Sequence, residues 1–238
     1  MGLGVAYRDT GVASSQQVFI GYAGYAVQAE WSQAWVSRLY HDALRAYGVR
    51  HVYAVQGPAD AGYSAREIGN SRLIAHLLPR LGDGARVLVA AHSSGSFVAH
   101  ELLGQLFVRG LDPGRRTAGR VVYYDLDGGG SGLDDAIVGQ LRRGYFVWSQ
   151  DGPSGTRSQN AAGMIALGAR WPRAGGAVRV DASGSGCRVG AGWCMHMTVI
   201  VDRPHNPADA SVRLDYTGFD DTHRVVTAYL TSTGFGGP

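Results

Sequence analysis

Apolar residues in this chain fall into short unbroken runs, separated by stretches of helical spacing. Gln17 to Gly21 (QVFIG) reads as a strand. Glu30 to Tyr47 places Trp31, Trp35, Leu39 and Leu44 on one helical face, and Gly48 ends it. His51 to Val55 (HVYAV) reads as a second strand, followed by a helix near Ala65 to Leu81 carrying Ile68, Leu73, Ile74 and Leu77. Val87 to Ala91 is a third run, and Phe97, Val98, Leu102 and Leu103 continue it as a helix. Arg120 to Tyr124 (RVVYY) is rich in the β-branched and aromatic residues that strands favour. Leu133 to Leu141 predicts a short helix, and Tyr145 to Ser149 and Ala177 to Asp181 predict two more strands. Strands that are apolar throughout are buried on both faces, which predicts a mostly parallel central sheet with helices on both faces. The chain is therefore expected to be an α/β protein. Residues 1–238 are read as one domain, without linker or internal repeat. In such sheets the reactive groups sit beyond the carboxyl ends of the strands.

One junction in this pattern is unusually abrupt. Val87-Leu88-Val89-Ala90-Ala91 stops at His92-Ser93-Ser94-Gly95, and the helical pattern begins at once. Strand, tight turn and helix with a serine at the apex is the layout of a nucleophile elbow. The residues two before and two after the apex must be small, and Ala91 and Gly95 fit when the turn is centred on Ser93. Centring it on Ser94 would put His92 where bulk is not tolerated. A helix beginning there points its N-terminal N–H groups at the serine, where an oxyanion would need them. The alternative is a strand-loop-helix in which the serine only caps the helix.

Composition narrows the function classes. The chain has 238 residues, 45% of them hydrophobic, so it can bury a sizeable core and is not a disordered sequence. No apolar run reaches the length of a membrane span, so no integral membrane association is expected. The first ten residues, MGLGVAYRDT, lack the apolar core of a signal peptide. Net charge is +3, and every one of the 22 basic residues is Arg. Arg115-Arg116 and Arg142-Arg143 are pairs, not a basic stripe, and no nucleic-acid module accompanies them. The patterning specifies no oligomeric state.

Cys187 and Cys194 lie seven apart in SGSGCRVGAGWC. A zinc site would need more ligands than the nearby His196, so no metal is expected. A local disulfide is the better reading against two free thiols, and it favours an oxidising, extracytoplasmic compartment.

A serine hydroxyl is a weak nucleophile at neutral pH. It needs a base, and the base needs an acid that fixes its tautomer. Asp127 and Asp151 both follow strands, and Asp127, in Asp125-Leu126-Asp127-Gly128, is favoured. Either could instead close an Asx turn. For the base, His196 in Cys194-Met195-His196 is favoured over His223, which precedes the apolar segment Val225 to Leu230. His92 is expected to point away from the serine as a structural hydrogen-bonder. The oxyanion would be held by the Ser94 N–H and by an N–H from the loop Gly21-Tyr22-Ala23-Gly24-Tyr25, with Ala23 the chosen donor. Tyr22 and Tyr25 are candidate walls of a substrate pocket, though aromatics there could equally be core; for Trp31 the core is preferred.

These segments resemble the lipase and esterase branch of the α/β-hydrolases. Phe19-Ile20-Gly21-Tyr22-Ala23 to Trp31 resembles the lipase oxyanion strand and helix, and His92-Ser93-Ser94-Gly95 the lipase elbow. Asp125-Leu126-Asp127-Gly128 is similar to the acid-bearing segment of pancreatic-type lipases, and Cys194-Met195-His196 to their Cys-x-His segment. The likeness spans roughly Gln17 to Ile200. Two departures stand out: Gly21-Tyr22 replaces the lipase His-Gly pair, and no lid stretch is evident. The resemblance implies an α/β-hydrolase fold and a triad of Ser93, Asp127 and His196. It implies hydrolysis of a small-molecule or lipid ester without cofactor or metal. A thioesterase or peptidase on the same scaffold, or a binding protein that kept only the fold, would carry the same segments.

Overall fold

The unbroken apolar runs assemble, edge to edge, into a seven-stranded sheet. The computed structural model describes residues 5–9, 17–25, 27, 29–42, 44–47, 49, 51–58, 70, 73–75, 77–78, 86–108, 117–129, 133–151, 155–172, 174–183, 187 and 192–200. The strands are β1 (Val5–Asp9), β2 (Gln17–Tyr22), β3 (His51–Val55), β4 (Arg86–His92), β5 (Val121–Leu126), β6 (Arg143–Gln150) and β7 (Gly175–Asp181). Their order is β1-β3-β2-β4-β5-β6-β7. Strands β2 to β7 are mutually parallel, and β1 pairs antiparallel with β3 at one edge. This is an α/β architecture.

Register explains how the two faces separate. Ile20, Val89 and Tyr123 stand level across β2, β4 and β5, and all three face one side. The row below them, Phe19, Leu88 and Val122, faces the other. Helix α1 (Ala29–Asp42) covers this second face through Trp35, Val36 and Leu39. Helices α2 (Gly95–Phe107), α3 (Asp135–Val138) and α4 (Ala161–Arg170) cover the first. Central strand β4 is buried from Val87 to His92, because both of its faces are covered. Each fully buried Val or Leu there contributes about 1.5–3 kcal/mol over an exposed one.

Four elements depart from the sequence reading. Strand β1 lies in a segment where no strand was expected. Helix α4 arises from NAAGMIALGAR, where Gly163 and Gly168 blur the helical pattern. The base candidate sits not in a loop but in a six-residue helix, α5 (Gly192–Met197). The helix expected over 30–47 divides into α1 and a 3-10 turn, Leu44–Tyr47. Of the helix expected near Ala65 to Leu81, positions 70, 73–75 and 77 are α-helical and 78 is a 3-10 position; the rest lies outside the described residues.

Candidate active site

Three chain segments meet beyond the carboxyl ends of β4 and β5. Ser93 follows β4 directly, and Asp127 follows β5 directly. Among the described residues they are the two non-glycine positions with left-handed backbone, at φ 54° and 48°. A residue other than Gly costs about 1–2 kcal/mol in that conformation. The neighbouring strands hold both turns in place. The Ser93 N–H donates to the Leu126 carbonyl at 3.1 Å, and the Asp127 N–H donates to the Val147 carbonyl at 2.8 Å. Backbone strain of this kind gathers at functional sites when the surroundings over-determine it.

The elbow closes against β2 rather than against its own strand. A Cβ on Gly95 would strike the carbonyl oxygens of Ala23 and Tyr22, which are the nearest atoms to it. The nearest atoms to that Cβ come from the end of β2 and the residue after it. Gly24 is the closest approach from the other side. A Cβ built there would lie 3.0 Å from Ser93 Cβ and 3.2 Å from His92 Nδ1. Helix α2 starts at once, capped by the backbone of Ser94, whose buried hydroxyl has no partner among the described residues. That helix aims its N-terminal N–H groups at the Ser93 turn.

The structure brings Asp127 and His196 together. His196 Nδ1 donates to Asp127 Oδ2 at 2.5 Å, and both side chains are buried. Three further bonds fix Asp127. Ser158 Oγ donates to Oδ1 at 2.7 Å, the Asn160 N–H donates to Oδ2 at 3.2 Å, and Asn160 Nδ2 donates to the Asp127 carbonyl at 2.7 Å. Because Nδ1 carries the proton, the lone pair of His196 is on Nε2. Asp151, the rival acid, occupies a turn in which its N–H donates to Thr156 O and its carbonyl accepts from Gly155. His223, the rival base, lies outside the described residues.

A short helix cannot hold a base by itself, and α5 is anchored four times. Cys187 and Cys194 are joined by a disulfide with a Cα–Cα separation of 5.8 Å. The Met195 carbonyl accepts from Ser149 Oγ at 2.5 Å and from Thr198 Oγ1 at 2.7 Å. The His196 carbonyl meets His92 Nε2 at 3.1 Å, and the His196 ring meets Asp127. His92 does not simply point away. Its ring lies 4.4 Å from that of His196, centroid to centroid, at a tilt of 36°. Burial, and then the charge of His196, push the His92 pKa well below its usual value.

Two of the expected contributors are corrected. The Ala23 N–H donates to the Val55 carbonyl at 3.1 Å, extending the β2–β3 ladder, so it is not available to an oxyanion. Among the described residues, the N–H groups of Gly24 and Ser94 meet no backbone carbonyl. Tyr22 walls no pocket. It is fully buried in the core on the α2 face, where its hydroxyl donates to Asn70 Oδ1 at 2.9 Å. Tyr25 is 55% exposed and remains accessible from solvent. Sequence reasoning missed Ser158 and Asn160. Their signal was a Ser-x-Asn followed by an apolar run, a helix start that would have placed polar side chains beside the end of β5.

No protein-family model matches the chain, and no curated protein matches it.

Proposed function

We propose that this protein is a serine carboxylic-ester hydrolase built on the α/β-hydrolase fold. One observation carries the reading: a strained serine between a parallel strand and a helix N-terminus, at the same end of the sheet as a buried, hydrogen-bonded Asp–His pair. Nearness of the two is supported by the ring of His92, the residue before Ser93, which packs on the ring of His196. The position of β4 inside the parallel sheet, and of Ser93 after it, suits that fold.

In this mechanism His196 Nε2 takes the Ser93 hydroxyl proton as Oγ attacks the ester carbonyl. Asp127 keeps the ring in the Nδ1–H tautomer and stabilises the imidazolium that forms. The N–H groups of Ser94 and Gly24 hold the tetrahedral oxyanion. Collapse breaks the ester C–O bond, and the imidazolium gives its proton to the departing alcohol. Water then attacks the acyl-serine by the same route, with His196 again the base, and releases the acid. The disulfide supports an extracytoplasmic setting, where such bonds persist.

The test is covalent labelling with a fluorophosphonate, with mass spectrometry of the labelled peptide. Label on Ser93 in the parent protein, and its loss in Ser93→Ala, are the expected results. An unlabelled parent protein rejects the serine-hydrolase reading in favour of a binding protein. Matched ester, thioester and amide substrates then assign the leaving group; faster cleavage of the thioester or amide replaces the esterase reading by a thioesterase or peptidase.

A further inference from the structure

Two imidazoles are in contact in this site, and only one has a carboxylate. We infer that His92 is a positioning residue for the base: as a permanently neutral donor it fixes the backbone of His196, and thereby the direction of Nε2. The inference rests on the reading of His196 as the general base.

Hydrogen-bond chemistry assigns the tautomer. A carbonyl oxygen can only accept, so the 3.1 Å contact with His196 O requires His92 to carry its proton on Nε2. That leaves Nδ1 as a bare lone pair. It is buried, has no hydrogen-bond partner among the described residues, and faces the backbone of Gly24. A second proton there would put an unpaired donor and a charge at a buried atom that no carboxylate meets among the described residues. His92 therefore stays neutral while His196, backed by Asp127, takes the proton. If both rings were charged they would repel across 4.4 Å.

The location makes this donor matter. Helix α5 has six residues, too few to be stable alone. Its other anchors act elsewhere: the disulfide at Cys194, two hydroxyls at the Met195 carbonyl, and Asp127 at the ring. Only His92 holds the carbonyl of the base residue itself, among the described residues. His92 is in turn rigid, being the last residue of the buried strand β4 and the immediate neighbour of Ser93. One peptide segment thus presents the nucleophile and, one residue earlier, registers the base against it. A displacement of about an ångström between such groups can cost a hundredfold in rate.

The test compares three substitutions on a soluble ester and reads the tautomer directly. His92→Phe keeps a ring and removes the donor; His92→Gln keeps a donor near Nε2 and removes the ring; His92→Ala removes both. We expect His92→Phe and His92→Ala to lower kcat by about 10- to 100-fold with KM little changed, since base geometry serves the transition state more than binding. His92→Gln should recover most of the loss. The downfield Nδ1–H proton signal of His196 should shift in His92→Phe and return toward its original position in His92→Gln. Parent-like kcat together with an unmoved His196 signal in a folded His92→Phe protein overturns the inference. Should the variants fail to fold, nitrogen spectroscopy of histidine-labelled parent protein decides alone: a His92 carrying its proton on Nδ1 at neutral pH overturns it, and Nε2–H supports it. These signals do not depend on turnover. A parent protein inert to esters and fluorophosphonates would reject the esterase reading while the tautomer test still gives its own answer.

Discussion

Two aspartates two residues apart, Asp125 near the end of β5 and Asp127 just past it, each face a buried histidine on very different terms. Asp127 meets His196 at 2.5 Å and accepts from Ser158 and Asn160 as well. Asp125 faces α2, where His100 approaches no closer than 3.6 Å, and neither carboxylate oxygen has a hydrogen-bond partner among the described residues. His100 is itself engaged with the Tyr123 hydroxyl at 2.9 Å. Burial raises the Asp125 pKa, His100 pulls it back, the charge of Asp127 raises it, and the Gly128 N–H lowers it. The Asp127 carboxylate is served by three donors from two segments, the Ser158–Asn160 turn and α5. The Asp125 carboxyl has donors nearby, in His100 and the Gly128 N–H, but none at full hydrogen-bond geometry among the described residues. Under the proposed reading, proximity of an acid to a histidine is not enough to mark the catalytic pair, and the supply of donors around the carboxylate separates the two.

The sharpest way to break the comparison is to remove the groups one at a time. Ser93→Ala and His196→Ala should each lower turnover on the order of a millionfold while leaving the fold intact. Asp127→Asn should cost about ten-thousandfold through the wrong histidine tautomer. Asp125→Asn should change turnover by no more than about threefold, because it touches no reacting group. Steady-state kinetics on one soluble ester checks all four. Equal losses in the two Asp→Asn proteins would erase the distinction drawn between the pairs.

The next effect concerns the frame around His196. Closing the short Cys187–Cys194 loop stabilises the fold by about 2.5 kcal/mol on the chain-entropy account. A Cys187→Ser/Cys194→Ser protein should melt lower and lose up to about a hundredfold in kcat, with KM less affected. Thermal melts and kinetics, with a count of free thiols in the parent by mass spectrometry, check this. Free thiols in parent protein purified without reductant would contradict it, as would an unchanged melting temperature and turnover.

Removing one donor from the Asp127 cradle should matter less. Ser158→Ala leaves two donors to the carboxylate, His196 and the Asn160 N–H, so kcat should fall by about tenfold, equivalent to one charge-assisted hydrogen bond of roughly 1.5 kcal/mol. An effect as large as that of Asp127→Asn would mean that Ser158 does more than hold the acid.

Much of this contrast was written in the chain, and some of it was not. The elbow was legible because a fully apolar strand, a small-residue turn and a helical pattern follow one another without a gap. Asp127 was legible as the first residue past a strand, and the Cys187–Cys194 pairing from its close spacing. What failed depends on three-dimensional neighbours. Tyr22 ends β2 level with Ala91, and register, which local pattern does not give, turns its ring into the core. Ala23 lost its role because its N–H continues pairing to Val55, one residue past the strand. Strand β1 is an antiparallel edge strand that shares no crossover with the parallel set, and α4 is diluted by glycine. The Ser158–Asn160 cradle was hidden with α4, since it is that helix's start that carries Asn160 to Asp127.

The smallest effect isolates Asp125 by pH. An acid whose folded pKa lies above its unfolded value of about 3.9 binds more protons folded than unfolded in the window between the two. Stability from that group is complete below the unfolded pKa and is lost as pH rises through the folded one. The slope is at most about 1.4 kcal/mol per pH unit, and the loss levels off once the folded protein has released the proton. Asn at this position cannot titrate. The Asp125→Asn protein should therefore gain stability relative to the parent as pH rises from about 4, most steeply in the first units above it. His100, Tyr123 and Asp127 also face this carboxyl, so the quantity to measure is the difference in melting temperature between the two proteins, pH by pH, not the profile of either. A difference that stays constant from acid to neutral pH would mean that Asp125 is charged in the fold as easily as in water. The contrast between the two aspartates would then rest on Asp127 alone.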